Sequence, residues 1–279
     1  MKMPFGVSAM TYTYARYSLA QALQSVAGFG LSEVEIWGHH PHAAVELLTP
    51  QYLEEINRLL DEHALQVSMF TPEQLGAPVA IGSPNSLIRE YSIRHFCRAA
   101  DAAAAMGTQR MLMTSGTMLL DEKPELVWKH ALESLQTIAD HARAQGVSLV
   151  LEPLAREESP LLYNLVQLKE AYDALAGYDP QVMVDLVPMH LNGENLADYF
   201  QTFGQDLSVI HFIDCDGTTF KHLVPGDGVI DFPEVVRTMK QFDFTGSVSM
   251  ELGDTYHLAP DDAVGRALAY LEKLMVENW

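Results

Sequence analysis

The chain has 279 residues, 48% of them apolar, which is enough to bury a large core in one or two domains. It has 17 Lys and Arg residues and 37 Asp and Glu residues, so its formal net charge is −20. Because the sequence also has no run of Lys and Arg, nucleic acids and anionic membranes are excluded as expected partners. Two cysteines exclude a disulfide framework and a thiolate metal site, and no apolar run is long enough to span a membrane, so we expect a cytoplasmic protein.

Eight short β-branched or apolar runs alternate with longer segments along the whole sequence. The predicted strands are Phe5–Met10, Val34–Trp37, Leu65–Thr71, Arg110–Ser115, Val147–Leu154, Gln181–Leu186, Leu207–Asp214 and Gly246–Leu252. Between several of them, apolar residues recur at steps of three and four, which predicts amphipathic helices over 50–63, 122–145 and 260–275. A longer connection rich in Pro, Gly and Ser, at 71–90, is a candidate lid or substrate loop.

The alternation of eight strands with helices predicts an α/β fold, a single (β/α)8 TIM barrel domain over residues 1–279. Strands that are apolar almost throughout are typical of a parallel sheet with both faces covered. An open doubly wound sheet is the structural alternative. The first strand is not followed by the Gly-x-Gly-x-x-Gly turn of a dinucleotide-binding fold, and no Walker phosphate loop is found, so we favour the barrel.

Four ionisable residues lie at or near the ends of the last four predicted strands: Glu152, Asp185, His211 and Glu251. In a barrel of this kind, catalytic groups come from the carboxyl ends of the strands, so we expect these four at one rim. Three carboxylates in one place would raise one another's pKa unless a cation were present. Three oxygen donors and one imidazole suit one divalent ion, with Mn²⁺ as our first expectation and Mg²⁺, Co²⁺ or Zn²⁺ as alternatives.

Seven segments carry a resemblance to a known family. They are EIWGHHPHA (35–43), TPE (71–73), LEPLAREES (151–159), MVDL (183–186), HFIDCDG (211–217), HLVPGDG (222–228) and MELGD (250–254). Together they resemble the xylose-isomerase-like sugar isomerase/epimerase superfamily, and within it the fructoselysine and ketose 3-epimerases. The resemblance implies that Glu152, Asp185, His211 and Glu251 are metal ligands and that Glu152 and Glu251 also form an acid/base pair.

The resemblance further implies a sugar epimerase that inverts C3 of a ketose or fructosamine. A metal that holds the carbonyl and a neighbouring hydroxyl would stabilise an enediolate, and one glutamate on each face of the sugar would exchange the C3 proton. An aldose–ketose isomerase or an inosose-type dehydratase could use the same site. A non-catalytic sugar-binding barrel is an alternative of another class. The expected partners are a small sugar and other copies of the chain in a homo-oligomer.

Four further residues are candidate substrate contacts. By the resemblance, Glu158 contacts the reacting end of the sugar, and His222 lies near the substrate. In the HHPH cluster, His42 matches the family pattern and is expected to contact substrate rather than metal. Glu73 is expected at the same rim.

Groups around these candidates are expected to support them. Asp214 and Asp216 follow His211 closely in the sequence and are the expected partners that orient its imidazole. Glu35 and Trp37 are expected to line the rim together with Glu73, with Trp37 as an apolar wall of the pocket.

Overall fold

Eight parallel strands follow one another around a closed barrel, and the first strand pairs with the last. The computed structural model describes residues 3–279. The strands are β1 (Gly6–Met10), β2 (Glu33–Gly38), β3 (Gln66–Pro72), β4 (Arg110–Met113), β5 (Ser148–Leu151), β6 (Gln181–Asp185), β7 (Leu207–His211) and β8 (Ser247–Met250). The predicted (β/α)8 barrel is confirmed.

Helices connect the strands and cover the outside of the barrel, as the apolar strands require. They are α1 (Leu19–Gly28), α2 (Pro50–Glu62), α3 (Ser86–Ala105), α4 (Pro124–Ala144), α5 (Leu165–Ala174), α6 (Leu186–Leu191), α7 (Leu196–Phe203), α8 (Phe232–Gln241) and α9 (Pro260–Asn278). None of the helices within residues 3–279 is long and apolar enough to cross a membrane.

The predicted strands begin within one residue of the observed ones, but the predicted fifth and seventh strands end three residues too late, and the predicted long loop is too long. The loop predicted over 71–90 ends earlier, because α3 begins at Ser86. The Asn85 side chain accepts a hydrogen bond from the Leu87 backbone N–H at 3.0 Å and so caps the helix. The connection that remains runs over 73–85 at the carboxyl end of the barrel.

A layer of apolar side chains fills the barrel below the carboxyl ends of its strands. Five adjacent strands contribute a buried cluster that is separate from the larger core: Met69, Leu112, Val150, Met183 and Val209. Alternate residues of a strand share one face. Residues two positions further along β5, β6 and β7 therefore lie directly above this layer, and these are Glu152, Asp185 and His211.

A polar layer closes the opposite end of the barrel. The first residues of the four even-numbered strands contribute to it: Glu33, Arg110, Gln181 and Ser247. The Arg110 guanidinium donates to the Gln181 side-chain oxygen and to the Ser247 hydroxyl, both at 3.1 Å. Burial raises the pKa of Glu33, and the charge of Arg110 opposes that rise. Arg110 therefore connects three strands, and its charge limits the rise in the pKa of Glu33.

We expect Arg110→Met to lower the free energy of unfolding by about 2–4 kcal/mol, because it leaves several partly buried polar groups without a partner. Urea denaturation measures this change. The matched control is Arg58→Met, which removes an exposed arginine paired only with Glu62 one helical turn away and should cost less than about 0.5 kcal/mol. Equal losses in the two variants would contradict this role of Arg110.

Candidate functional site

The barrel brings four ionisable side chains together at the carboxyl ends of its last four strands. Asp185 and His211 are the last residues of β6 and β7, and Glu152 and Glu251 directly follow β5 and β8. Each offers one ligand atom, and these four atoms all lie within 4.8 Å of one another. Glu152, Asp185 and His211 are almost completely buried, while 18% of the Glu251 side chain is exposed.

One of the four groups is fixed by a backbone hydrogen bond, and another has a nitrogen close to two carboxylates. The Val187 backbone N–H donates to Asp185 Oδ1 at 2.7 Å, since Asp185 caps the short helix α6. His211 Nδ1 lies 2.9 Å from a Glu251 oxygen and 3.5 Å from a Glu152 oxygen. Neither contact is a hydrogen bond, so Nδ1 is a buried nitrogen without a hydrogen-bond partner. A buried imidazole nitrogen among carboxylate oxygens is an arrangement that a metal ion satisfies.

The carboxylates shift one another's pKa. Burial raises the pKa of Glu152 well above its usual value, and the carboxylates of Glu251 and Asp185 raise it further against the opposing effect of His211. Burial also raises the pKa of Asp185. The pKa of Glu251 is subject to the same effect of burial, but the two nearby histidines, His211 and His222, lower it below its usual value. A cation between these groups would remove their mutual repulsion.

His211 has a second buried partner. Burial alone would lower the pKa of His211, but the carboxylates of Glu35 and Glu251 raise it well above its usual value. The Glu35 oxygens lie 3.1 and 3.3 Å from His211 Nε2. The Thr71 hydroxyl donates to Glu35 at 2.6 Å. The sequence predicts Glu35 at the rim of the pocket, whereas the structure places it behind His211.

The expectation that Asp214 and Asp216 orient His211 is wrong. Asp214 organises the loop after β7: its carboxylate accepts from the backbone N–H groups of Cys215, Gly226, Gly228 and Ile230. Asp216 is exposed and accepts from Thr218 and Thr219. Local backbone donors outcompete His211 for both aspartates because they are nearby in the loop.

A cavity of about 630 Å³ opens above the four side chains. Glu152, Asp185 and Glu251 line its floor, with His211 behind them. Among its lining residues that the structure describes, six are acidic and one is a lysine: Glu73, Glu152, Glu158, Asp185, Glu251, Asp254 and Lys221. Burial and the surrounding carboxylates raise the pKa of Tyr12, also in the wall, to about 12. The cavity therefore has the volume for a small ligand and a field that repels anions.

Two of the predicted substrate contacts line this cavity next to the cluster. His222 Nε2 lies 3.5 Å from an Asp185 oxygen, and its Nδ1 lies 3.1 Å from the Glu251 backbone carbonyl. Burial raises the pKa of Glu158 to about 7, with neighbouring His222 opposing the rise. Near neutral pH, Glu158 is therefore able both to donate and to accept a hydrogen bond.

The other two predicted contacts are engaged with their own chain. Glu73 lines the cavity, but one oxygen accepts from the Trp37 indole at 3.2 Å and the other from the backbone N–H groups of Leu75 and Gly76. Glu73 thus anchors the start of the 73–85 connection. His42 is not among the lining residues, because its ring is buried and its Nε2 faces the Tyr17 carbonyl at 3.2 Å.

The sequence matches a known family and is similar to a bacterial fructoselysine 3-epimerase. A family model described as xylose isomerase-like TIM barrel matches residues 23–274. The fructoselysine 3-epimerase of Escherichia coli O157:H7 is 25% identical over 268 residues, which cover 96% of this chain and 98% of that protein.

Solved structures have the same fold. The crystal structure of D-psicose 3-epimerase with D-tagatose, from Clostridium cellulolyticum H10, superposes with a TM-score of 0.81 at 17% identity and covers 97% of this chain and 99% of its own. The crystal structure of the IOLI protein with a binding zinc atom superposes with a TM-score of 0.83 at 17% identity, covering 99% of each chain. Both likenesses establish the fold.

Burial lowers the pKa of His42 to about 4, and this predicts a pH dependence of stability. The unfolded chain binds a proton at this residue below about pH 6.5, whereas the folded chain does not until about pH 4. Lowering the pH through this window should therefore cost about 3 kcal/mol of unfolding free energy.

Urea denaturation at several pH values between 7 and 4 gives the slope of the unfolding free energy against pH. The slope should flatten in His42→Gln and persist in His63→Gln, which replaces a partly exposed histidine at the end of α2. An unchanged slope in His42→Gln would exclude His42 as its source.

Proposed function

Because the chain belongs to the xylose isomerase-like TIM barrel family, we propose that it is a metal-dependent sugar epimerase that inverts C3 of a ketose or fructosamine. The observation that carries this proposal is the group of three carboxylates and one imidazole at the floor of the cavity. The fructoselysine 3-epimerase that resembles the chain along almost its whole length supports an isomerase of this class.

We propose that Glu152, Asp185, His211 and Glu251 hold one divalent cation, with Mn²⁺ as the first candidate. The donor set fits, since it has three hard oxygen ligands and one imidazole nitrogen that lacks a hydrogen-bond partner. Such a cation would polarise the sugar carbonyl and make the adjacent C–H bond more acidic. The similar structure with a zinc atom shows that a barrel of this fold can bind a metal, and the donor set leads us to Mn²⁺.

Glu152 and Glu251 are proposed to transfer the proton. They extend from β5 and β8 respectively, so they approach the cavity from different sides of the barrel. One carboxylate removes the proton from C3 and the other returns a proton to the opposite face, which inverts that carbon. Glu158 and His222, which line the same cavity, hold the sugar oxygens near the reacting carbon.

The charge of the cavity favours neutral or cationic sugars. Six acidic residues and one lysine leave the lining negative even after a divalent cation binds. A phosphorylated ketose would be repelled, whereas the protonated amine of a fructosamine would be attracted. We therefore propose an amine-linked ketose as the first substrate to test and a plain ketohexose as the second.

Solvent isotope incorporation tests the reaction. With Mn²⁺ in D₂O, we expect the C3-inverted product of a fructosamine or ketohexose to carry deuterium at C3, because the exchanging proton passes through a carboxyl group. Nuclear magnetic resonance of the product locates the label. Deuterium confined to C1 would indicate an aldose–ketose isomerase instead, and a panel of ketoses without turnover or label would refute the proposed reaction.

The acid/base pair is tested by replacing each member. Glu152→Gln and Glu251→Gln should each lower kcat by about 10³-fold or more, since an amide cannot exchange the C3 proton. Circular dichroism should show the fold retained. Glu157→Gln is the matched control, because this exposed glutamate belongs to the same loop as Glu158 and its loss should leave kcat unchanged. Either cluster variant with wild-type kcat would contradict the assignment.

The raised pKa of Glu158, about 7, predicts a pH dependence of substrate binding. Below pH 7 the protonated carboxyl donates to a sugar oxygen, and this donor is lost as the pH rises through 7. The wild-type KM should therefore increase between pH 6.5 and 8.5, while the KM of Glu158→Gln, whose amide remains a donor, should stay flat over that range. Parallel profiles for the two proteins would exclude this role.

A further inference from the structure

The contacts of β2 point to a residue that controls the metal centre without belonging to it. We propose that Glu35, held in place by Thr71, is a positioning residue that turns His211 Nδ1 toward the cation and thereby sets the metal affinity. This inference rests on the metal-binding part of the proposed function and is independent of the sugar reaction.

Glu35 is fully buried, and its carboxylate contacts one charged partner. Among the described residues, its only ion pair is with His211, and it is not one of the four clustered side chains. The contact crosses the barrel interior, because β2 and β7 are not neighbours in the sheet. A buried carboxylate is costly unless it has a specific partner. Its position inside an otherwise buried strand is therefore explained by His211.

The two nitrogens of the His211 ring face different groups. A carboxylate only accepts hydrogen bonds, so Nε2 carries the hydrogen that Glu35 accepts at 3.1 Å. The other nitrogen, Nδ1, then faces the oxygens of Glu152 and Glu251. Without Glu35 the ring loses the contact that selects this orientation and this tautomer. Part of the free energy of metal binding would then be spent on ordering the His211 ring, and the metal affinity would fall.

Thr71 completes the arrangement from the neighbouring strand. Its hydroxyl donates to Glu35 Oε1 at 2.6 Å, and it stands at the carboxyl end of β3, beside β2. This bond fixes the rotation of the Glu35 carboxylate, so that both oxygens face His211 Nε2. Thr71 acts on the metal centre only through Glu35. Removal of its hydroxyl should therefore matter less than a change at Glu35, and not at all once Glu35 has been changed.

The experiment is titration of the metal-free protein with Mn²⁺ by isothermal calorimetry. We expect Glu35→Gln to weaken Mn²⁺ binding by about 10- to 100-fold. Thr71→Val keeps the shape of the side chain but removes the hydroxyl, and it should weaken binding by about 3- to 10-fold. Thr71→Ser should restore wild-type affinity. The double variant Glu35→Gln/Thr71→Val should bind no more weakly than Glu35→Gln alone.

Glu33→Gln is the matched control, because Glu33 is the other carboxylate of β2 and belongs to the polar layer at the opposite end of the barrel. Its Mn²⁺ affinity should equal that of the wild type. The thermal midpoint of each metal-free variant is measured in parallel. A folded Glu35→Gln whose midpoint falls but whose Mn²⁺ affinity is unchanged would overturn the inference, since a purely structural role predicts that result.

The outcomes separate the two proposals. If Glu35→Gln does not fold, the comparison of Thr71→Val with Thr71→Ser decides, and equal affinities for that pair overturn the inference. If the wild type binds Mn²⁺ but inverts no sugar, the proposed reaction fails while the affinity series still supports the role of Glu35. If the wild type binds none of Mn²⁺, Mg²⁺, Co²⁺ and Zn²⁺, the metal centre itself is refuted, and this inference with it.

Discussion

Electrostatic repulsion among buried carboxylates controls the chemistry of the site. Three of them, with one imidazole, offer ligand atoms within 4.8 Å of one another. Burial alone raises the pKa of such groups, and each negative charge raises that of the others. A single divalent cation would stabilise the ionised form of all three carboxylates. It would also place a positive charge at the floor of a cavity about 630 Å³ in volume.

The spacing of residues along the strands places these side chains at the same end of the barrel. Each of β5, β6 and β7 places an apolar side chain inside the barrel and, two residues later, an ionisable one above it. The rigid apolar layer below fixes the height of the ligands, while Glu35 approaches His211 from across the interior. At the other end of the barrel, the polar layer around Arg110 closes the interior without taking part in the site. The polar layer that stabilises the barrel and the side chains proposed for chemistry thus lie at opposite ends of the barrel.

The sequence predicts the barrel and the four clustered residues because both depend on local pattern: strand periodicity, and ionisable residues where strands end. The role of Glu35 could not be predicted in this way, since its partner His211 is 176 residues away and is reached only across the closed barrel. His42 and Glu73 were expected to contact substrate, but both bond to their own chain: His42 to the Tyr17 carbonyl, and Glu73 to the Trp37 indole and two backbone amides. Such competition depends on loop conformation, which residue spacing does not encode.

Anomalous diffraction from a crystal soaked in Mn²⁺ tests the proposed metal centre, because it locates the ion without reference to any substrate. The proposed metal centre predicts one strong peak within bonding distance of the side chains of Glu152, Asp185, His211 and Glu251, together with an unchanged contact between His211 Nε2 and Glu35. A peak elsewhere, or a map without a peak at this rim, would contradict it.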